Sequence, residues 1–565
     1  MSSTLTQAAS APPDAPRSHS FLRHARIISI LTFASRVLGV IRESLAARYF
    51  GDGLVANAFS VAFAIPNLFR RLFGEGALSA AFIPVYSQSL RTEDSAGAQR
   101  FAASSVNLLI VMLGTITLIG EGVLWAIPRL WTLTPERLLA VKLTAILLPY
   151  ALLVCGTAFL GAILQVHRRF GLVAAAPIVL NIALIASTVL GARLWNMGDT
   201  AGQTRAIYFI CVCVLVAGAI QVLMLLPSLR AVGFRFDLRV LWTPLTARML
   251  RLSIPVALGA GVLQLSVLLD RGISFLLAKS ADAQGVILTH FELFGQQVPY
   301  PLEMGASVRL FWAQLLYQFP LGVFAIALAT AIFPALSADA MEKDKARFRA
   351  GLTRGIRITL WEGLPASVGL AIVALPAVQV LFERGNFGPQ ASELVARSLR
   401  FYAIAIWAFS LQQILNRAYY ALHDTVTPLV LSILTLAVNL LVELPLMWTP
   451  LGEAGMAAGT SVSFALQALV MLWMLNRRVG GLELRRLTPF VVKVALATML
   501  MAVACLAVQY APWWPAASGR ETAVLRLTIL IAVGAVVYLL SCWALGAGPA
   551  PATPPAHSTP PPQAR

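Results

Sequence analysis

Ala206 to Leu229 reads AIYFICVCVLVAGAIQVLMLLPSL, 24 residues without a charge, fenced by Arg205 and Arg230. A helix of about 20 apolar residues crosses the hydrocarbon core of a bilayer, so this stretch spans a membrane. Working outward from it, similar windows recur along nearly the whole 565-residue chain, bounded by charged or Pro/Gly clusters. Composition agrees: 58% of residues are hydrophobic, 12% are charged and the mean hydropathy is +0.77. A soluble domain carries roughly a quarter charged residues. The fold class is therefore an all-α polytopic membrane protein, which excludes soluble enzymes, nucleic-acid modules and secreted disulfide scaffolds. Cys155, Cys211, Cys213, Cys505 and Cys542 all lie in apolar runs without metal or disulfide spacing, and read as small buried hydrophobes.

About fourteen transmembrane helices are expected, near 25–48, 54–74, 101–127, 138–165, 172–193, 206–229, 249–278, 306–338, 355–382, 396–420, 427–449, 454–476, 490–512 and 523–546. Residues 1–24 and the Pro/Ala-rich 547–565 read as disordered tails. The net charge of +18 does not point to nucleic acid, because the basic residues sit in short clusters between apolar segments. With the N-terminus cytoplasmic, roughly 27 of the 43 Lys and Arg fall inside and about 13 outside. Both termini are thus expected in the cytoplasm.

A repeat organises the spans. FIPVYS (Phe82 to Ser87) returns as IFPALS (Ile332 to Ser337), and APIVLN (Ala176 to Asn181) as TPLVLS (Thr427 to Ser432), at offsets near 250. Arg100–Phe101 and Arg347–Phe348 precede a span at comparable positions. Residues 25–230 (spans 1–6) and 231–480 (spans 7–12) are therefore expected as two pseudo-symmetric six-helix lobes around a central cavity, with spans 13 and 14 (481–546) outside the repeat.

Charge inside a span is costly and needs a reason. In span 1, Thr32, Ser35, Arg36, Gly39, Arg42, Glu43 and Ala46 share one arc, whereas Ile30, Val37, Val40, Ile41 and Leu45 cover the other side. Either this arc lines a wet cavity, or Arg36 and Glu43 form an internal salt bridge. Two arginines against one carboxylate leave a positive charge over, which favours the cavity. Span 2 adds Asn57, Ser60, Asn67, Arg71 and Glu75, with Arg70 beside them and Pro66 as a kink; the two arginines could instead snorkel at the boundary. Guanidinium forks suit phosphate oxygens, so Arg36, Arg42, Arg70 and Arg71, with Glu43 and Asn57, are the candidate binding residues for an anionic, phosphorylated ligand. Later spans carry Asp270–Arg271, Asn439 with Glu443 four residues on, and Thr460. These read as an oxygen cage for Na⁺, as a proton relay, or as a hydrogen-bond network holding helices together. No nucleophile elbow, paired-carboxylate motif or phosphate-cradling Gly-rich loop is present, so no enzyme and no cofactor beyond a coupling ion is expected.

SRVLGVIRESLAARYFG (Ser35 to Gly51) followed by VAFAIPNLFRRLFGEGALSAAFIPVYS (Val61 to Ser87) resembles the N-terminal signature of MurJ/MviN-type lipid II flippases, of the multidrug, oligosaccharidyl-lipid and polysaccharide exporter superfamily. VLFERGNF (Val380 to Phe387), YYALHDTVTP (Tyr419 to Pro428) and AGMAAGTSVS (Ala454 to Ser463) match the same pattern, and the likeness covers about residues 25–480. It implies a multi-pass protein of the bacterial inner membrane. Its partner would be lipid II, the undecaprenyl-diphosphate-linked disaccharide-pentapeptide, moved from the cytoplasmic to the periplasmic leaflet for cell-wall synthesis by alternating access among membrane lipids. Cell-wall synthesis or division proteins are further possible partners. Arg36, Arg42 and Arg70 align with cavity arginines of that family, and Asp270, Asn439, Glu443 and Thr460 lie near a Na⁺ site of some members, with Glu443 in place of Asp.

The chain also departs from that pattern. Asn57 stands where an acidic residue is frequent, and AQLLYQFP (Ala313 to Pro320) has Leu315 where the family usually supplies a headgroup-facing arginine. Either Arg309 substitutes or the charge is missing. The segment Ser280 to Ser307 is unusually long. Other readings stay open: an exporter of another lipid-linked oligosaccharide, a cation-coupled drug exporter, or a non-transporting scaffold for cell-wall assembly.

Overall fold

The computed structural model describes residues 17–74, 77–239, 242–342, 344–482, 484–515 and 519–549. The expectations placed on 1–16, Glu75 and 550–565 fall outside the described residues. The first half consists of α1 (Arg17–Phe50), α2 (Leu54–Phe69), a first π-helical turn (Arg70–Gly74), α3 (Ala77–Thr92), α4 (Ser95–Leu130), α5 (Pro135–Leu147), α6 (Tyr150–Val166), α7 (Gly171–Leu194) and α8 (Thr200–Ala231). The second half consists of α9 (Pro244–Leu276), α10 (Ala306–Pro320), a second π-helical turn (Leu321–Ala325), α11 (Ile326–Met341), α12 (Lys345–Ile372), α13 (Ala374–Leu381), α14 (Pro389–Ile404), α15 (Ile406–Ala421), α16 (Val426–Met447) and α17 (Glu453–Arg478). Then follow α18 (Leu484–Gln509) and α19 (Arg520–Ala544).

Each of the fourteen sequence windows falls on a helix or on helices in immediate succession. By length and composition, eight described helices can cross a membrane, or ten when the bent pairs α12–α13 (68°) and α14–α15 (44°) each count as one. That measure does not reproduce the count of fourteen. α1 begins at Arg17, so residues 17–24, expected in the tail, are helical. Between α9 and α10 lie two antiparallel hairpins, β1 (Ser280–Ala281) with β2 (Ile287–Leu288) and β3 (His290–Leu293) with β4 (Gln296–Pro299). They account for the long segment there, which helix periodicity could not describe. Phe294 and Gly295 turn the second hairpin at φ 50° and 79°, the left-handed pair that a two-residue turn between twisted strands requires.

Local chemistry sets the helix starts. Asp94, Thr134, Asp199, Thr243 and Asp344 each accept an N–H from the first turn of the helix they precede. Asp424, in the loop before α16, accepts from Val426 N, Thr427 N and the Thr427 hydroxyl and pairs with Arg478. Burial pushes its carboxyl up, but the Thr427 donors and Arg478 outweigh it and hold the carboxyl below the usual range. The two π turns are 251 residues apart at both ends, Arg70 to Leu321 and Gly74 to Ala325. That is the offset of the sequence repeat.

Apolar faces point both ways. Leu118, Leu441 and Trp543 are 73–83% exposed or nearly so on α4, α16 and α19, as lipid-facing side chains are in a multi-pass protein. The buried side chains form two clusters. One unites the first half with α9, α10 and the Phe382, Phe387, Met447 and Met456 ends of later helices. The other, with Phe348, Leu352, Leu415, Met471 and Leu475, belongs to α11, α12, α15 and α17–α19 alone. The halves are thus joined towards one end of the bundle. There Asn386 Nδ2 donates to Tyr49 O (2.7 Å) and Met197 O (2.6 Å), and its N–H to Arg48 O (2.9 Å).

α16 and α17 pack closely because residue 459 is glycine: a Cβ there would stand 2.8–2.9 Å from Glu443 backbone and Cβ atoms. Gly459→Val should lower stability by about 1–3 kcal/mol through overpacking. Thermal unfolding in detergent reads this, and an unchanged melting temperature would mean that the helix pair can slide apart without cost.

Candidate functional site

The polar arc of α1 meets protein partners. Glu43, 8% exposed, pairs with its neighbour Arg42 (Nη2–Oε1 2.5 Å, Nε–Oε1 3.0 Å) and accepts from Trp312 Nε1 of α10 at 3.2 Å. Arg42 Nη1 donates to Asn181 Oδ1 (3.0 Å), and Asn181 Nδ2 donates to Ser35 O (3.0 Å), which ties α1 to α7. Burying a carboxylate demands such partners. The salt bridge weighed from sequence, Arg36 with Glu43, is not the one formed. Arg36 is exposed and makes no hydrogen bond or ion pair among the described residues; its Nη1 lies 3.0 Å from where a Cβ on Gly322, in the second π turn, would stand.

Pro66 precedes the first π turn, which carries Arg70 and Arg71. Arg71 Nη1 donates to Gln264 Oε1 of α9 at 3.3 Å, and Arg70 is half-buried beside Gly74. Asn57 sits elsewhere in character. It is 0% exposed, its Nδ2 donates to Glu136 Oε1 of α5 (2.7 Å), and its Oδ1 accepts from Val308 N of α10 (3.1 Å). Both amide atoms are therefore occupied within the protein, a role that its place on the polar face of span 2 did not reveal.

In the second half, Asn439 Nδ2 donates to Asp270 Oδ1 (3.2 Å) and to Glu443 Oε2 (3.1 Å), joining α9 to α16. All three side chains are buried, and among the described residues Asn439 Oδ1 and Glu443 Oε1 meet no donor. Thr460, on the packed α17, gives its hydroxyl to Met456 O of its own helix (3.1 Å). Two carboxylates and an amide oxygen, with two orphaned acceptors among them, suit a small hard cation or a retained proton.

Comparison with known proteins places this helical bundle in a family. The family model for the lipid II flippase MurJ matches residues 46–515. The chain belongs to that family. A "Probable lipid II flippase MurJ" of Vibrio cholerae is 30% identical over 94% of this chain and 97% of its own length. One of Bdellovibrio bacteriovorus is 29% identical over 93% and 95%. The solved structure described as "Lipid II flippase MurJ, inward closed conformation" covers 92% of this chain and 98% of its own, with a TM-score of 0.71 at 21% identity. An inward-facing MATE multidrug transporter covers 81% and 99%, with a TM-score of 0.63 at 15% identity. These likenesses show the fold.

Within this MurJ-family chain, Arg309 does not stand in for the arginine missing at Leu315. It is 2% exposed and fully engaged: Nε lies 3.0 Å from both Glu453 carboxylate oxygens, Nη2 2.8 Å from Oε2, and Nη1 2.5 Å from Asp52 Oδ2 and 2.6 Å from Met304 O. The triad ties the loop after α1 to α10 and α17 at the joined end of the bundle. Sequence reading missed Asp52, Glu136, Trp312 and Glu453 as partners. Their one signal was charge or an indole N–H next to apolar runs. An apolar cleft of about 690 Å³ beside Trp407 and Leu506 is lined by none of the MurJ-family arginines named above.

Proposed function

We propose that this chain translocates lipid II from the cytoplasmic to the periplasmic leaflet, with both termini in the cytoplasm. The observation that carries this reading is the exposed Arg36 guanidinium, without a partner among the described residues, in a bundle that also holds Arg42, Arg70 and Arg71. A diphosphate entering from the cytoplasmic side meets cationic forks, the polyprenyl tail stays in lipid, and neutralising the charge favours rocking of the two halves. Contacts joining the halves at one end support a cytoplasm-open state, with Arg309, Asp52 and Glu453 on the periplasmic side.

The test is expression in a bacterium depleted of its own lipid II flippase, measuring lipid II accessible on the outer leaflet. Restored exposure is expected. A well-inserted protein that restores none would direct attention to another lipid-linked cargo, an amphiphile, or a scaffold.

The Asp270, Asn439 and Glu443 cluster is proposed as the coupling-ion site, because its orphaned oxygens suit Na⁺ better than a closed hydrogen-bond network. A ligand at 100 times its Kd stabilises by about 2.7 kcal/mol. Exchanging choline for Na⁺ at constant ionic strength should therefore raise the melting temperature, and Glu443→Gln should erase the rise. Equal melting in both salts would remove Na⁺ and leave the proton.

A further inference from the structure

Arg271 on α9 has no role in the site as described so far. Its Nη1 donates to Ser60 O of α2 at 3.1 Å, and its Cζ lies 4.5 Å from the centroid of the Phe311 ring on α10. Its Nε is buried without an acceptor, and it forms no ion pair among the described residues. A guanidinium has five N–H donors, of which one is matched here. The residue is half-buried, packed among α2, α10 and the Asp270 cluster. Asp270 beside it is held by Asn439, and Glu43, the other carboxylate near enough to act on it, is held by Arg42 and Trp312. Neither closes on the free donors.

Phe311 and Leu315 are four residues apart and so share a face of α10. The Arg271 guanidinium lies over the Phe311 ring, and Leu315 follows one helical turn along α10. Gln264, seven residues before Arg271 on the same face of α9, holds Arg71. A strip of α9 thus presents two guanidinium groups, one borrowed from the first π turn and one its own.

We propose that Arg271 supplies, from α9, the second-half phosphate contact that Leu315 has removed from α10. This rests on the reading of the cargo as a lipid-linked diphosphate. The Ser60 carbonyl and the Phe311 ring fix the plane of the fork, and the unmatched N–H groups on Nη1 and Nη2 face the diphosphate oxygens.

The test uses the full-length protein in nanodiscs, with lipid II and undecaprenyl diphosphate as separate probes, and reads binding by native mass spectrometry. Arg271→Leu should weaken both probes by about 10- to 100-fold, the range of a charge-assisted hydrogen bond. Arg271→Leu combined with Leu315→Arg should recover to within a few fold, because it moves the charge across to the adjacent helix. Wild-type affinity in the single variant overturns the proposal. So does a double variant that melts like wild type yet binds as weakly as the single. Arg271→Lys, which keeps charge without the fork, should lie between; a lysine variant as weak as the leucine one assigns Arg271 to holding α2 and overturns the proposal without needing the double. Wild type that binds undecaprenyl diphosphate but not lipid II, with Arg271→Leu still weakened, sinks the lipid II reading and keeps Arg271 as the phosphate contact. Binding of neither probe sinks both.

Discussion

Glu453→Ala should lower the unfolding free energy by about 3–5 kcal/mol, since it leaves a buried guanidinium short of its main counter-charge. Arg309 is 2% exposed, and Glu453 accepts from its Nε and Nη2. Asp52 retains Nη1, which places the loss towards the lower end of that range. Replacing the set together, Arg309→Met with Glu453→Leu and Asp52→Asn, should come back close to wild type, because a well-packed apolar substitute removes the desolvation cost along with the attraction. Thermal unfolding in detergent measures both. If Glu453→Ala melts as wild type does, Glu453 is not the counter-charge that keeps Arg309 in its buried place. Spin labels on the loop after α1 and near Asn386 would also separate in the single variant, because the triad lies where the two halves are tied.

Arg36→Ala should cut lipid II exposure in the depleted bacterium by more than about tenfold while leaving the melting temperature alone. Among the described residues Arg36 has no hydrogen-bond or ion-pair partner to abandon, and a charge-assisted contact with phosphate accounts for roughly 1.5–3 kcal/mol. Arg42→Ala should behave differently. It removes the ion pair of buried Glu43 and leaves that carboxylate only the Trp312 indole, so stability falls by about 1–3 kcal/mol along with transport. Both variants are compared at matched membrane levels. Full exposure with Arg36→Ala would sink the arginine mechanism even if the chain flips lipid II.

The helices were legible because apolar runs of bilayer length announce themselves, although only eight to ten of the described ones meet that length and composition, and the arc of α1 was legible because a helix sorts its residues by angle. Pairing was not legible. Glu43 chose Arg42 next to it over Arg36 two turns away, which depends on Trp312 arriving from 269 residues downstream. Arg309 reads as a spare cavity charge until Glu453, 144 residues on, and Asp52, 257 residues back, are placed around it. Asn57 reads as cavity-facing until Glu136 and Val308 N close over it. In each case periodicity fixes the face of the helix, and only tertiary contact decides whether that face meets water or another side chain.

The two π turns have taken opposite endowments from one repeat. Arg-Arg-Leu-Phe-Gly in the first carries two cations, whereas Leu-Gly-Val-Phe-Ala in the second carries none and a glycine against which Arg36 comes to rest. Each turn inserts a residue into the α-helical ladder, a break of the kind that marks functional or strained positions. At an equal offset along the chain, one turn thus concentrates charge and the other supplies the small residue that leaves room for a charge from α1.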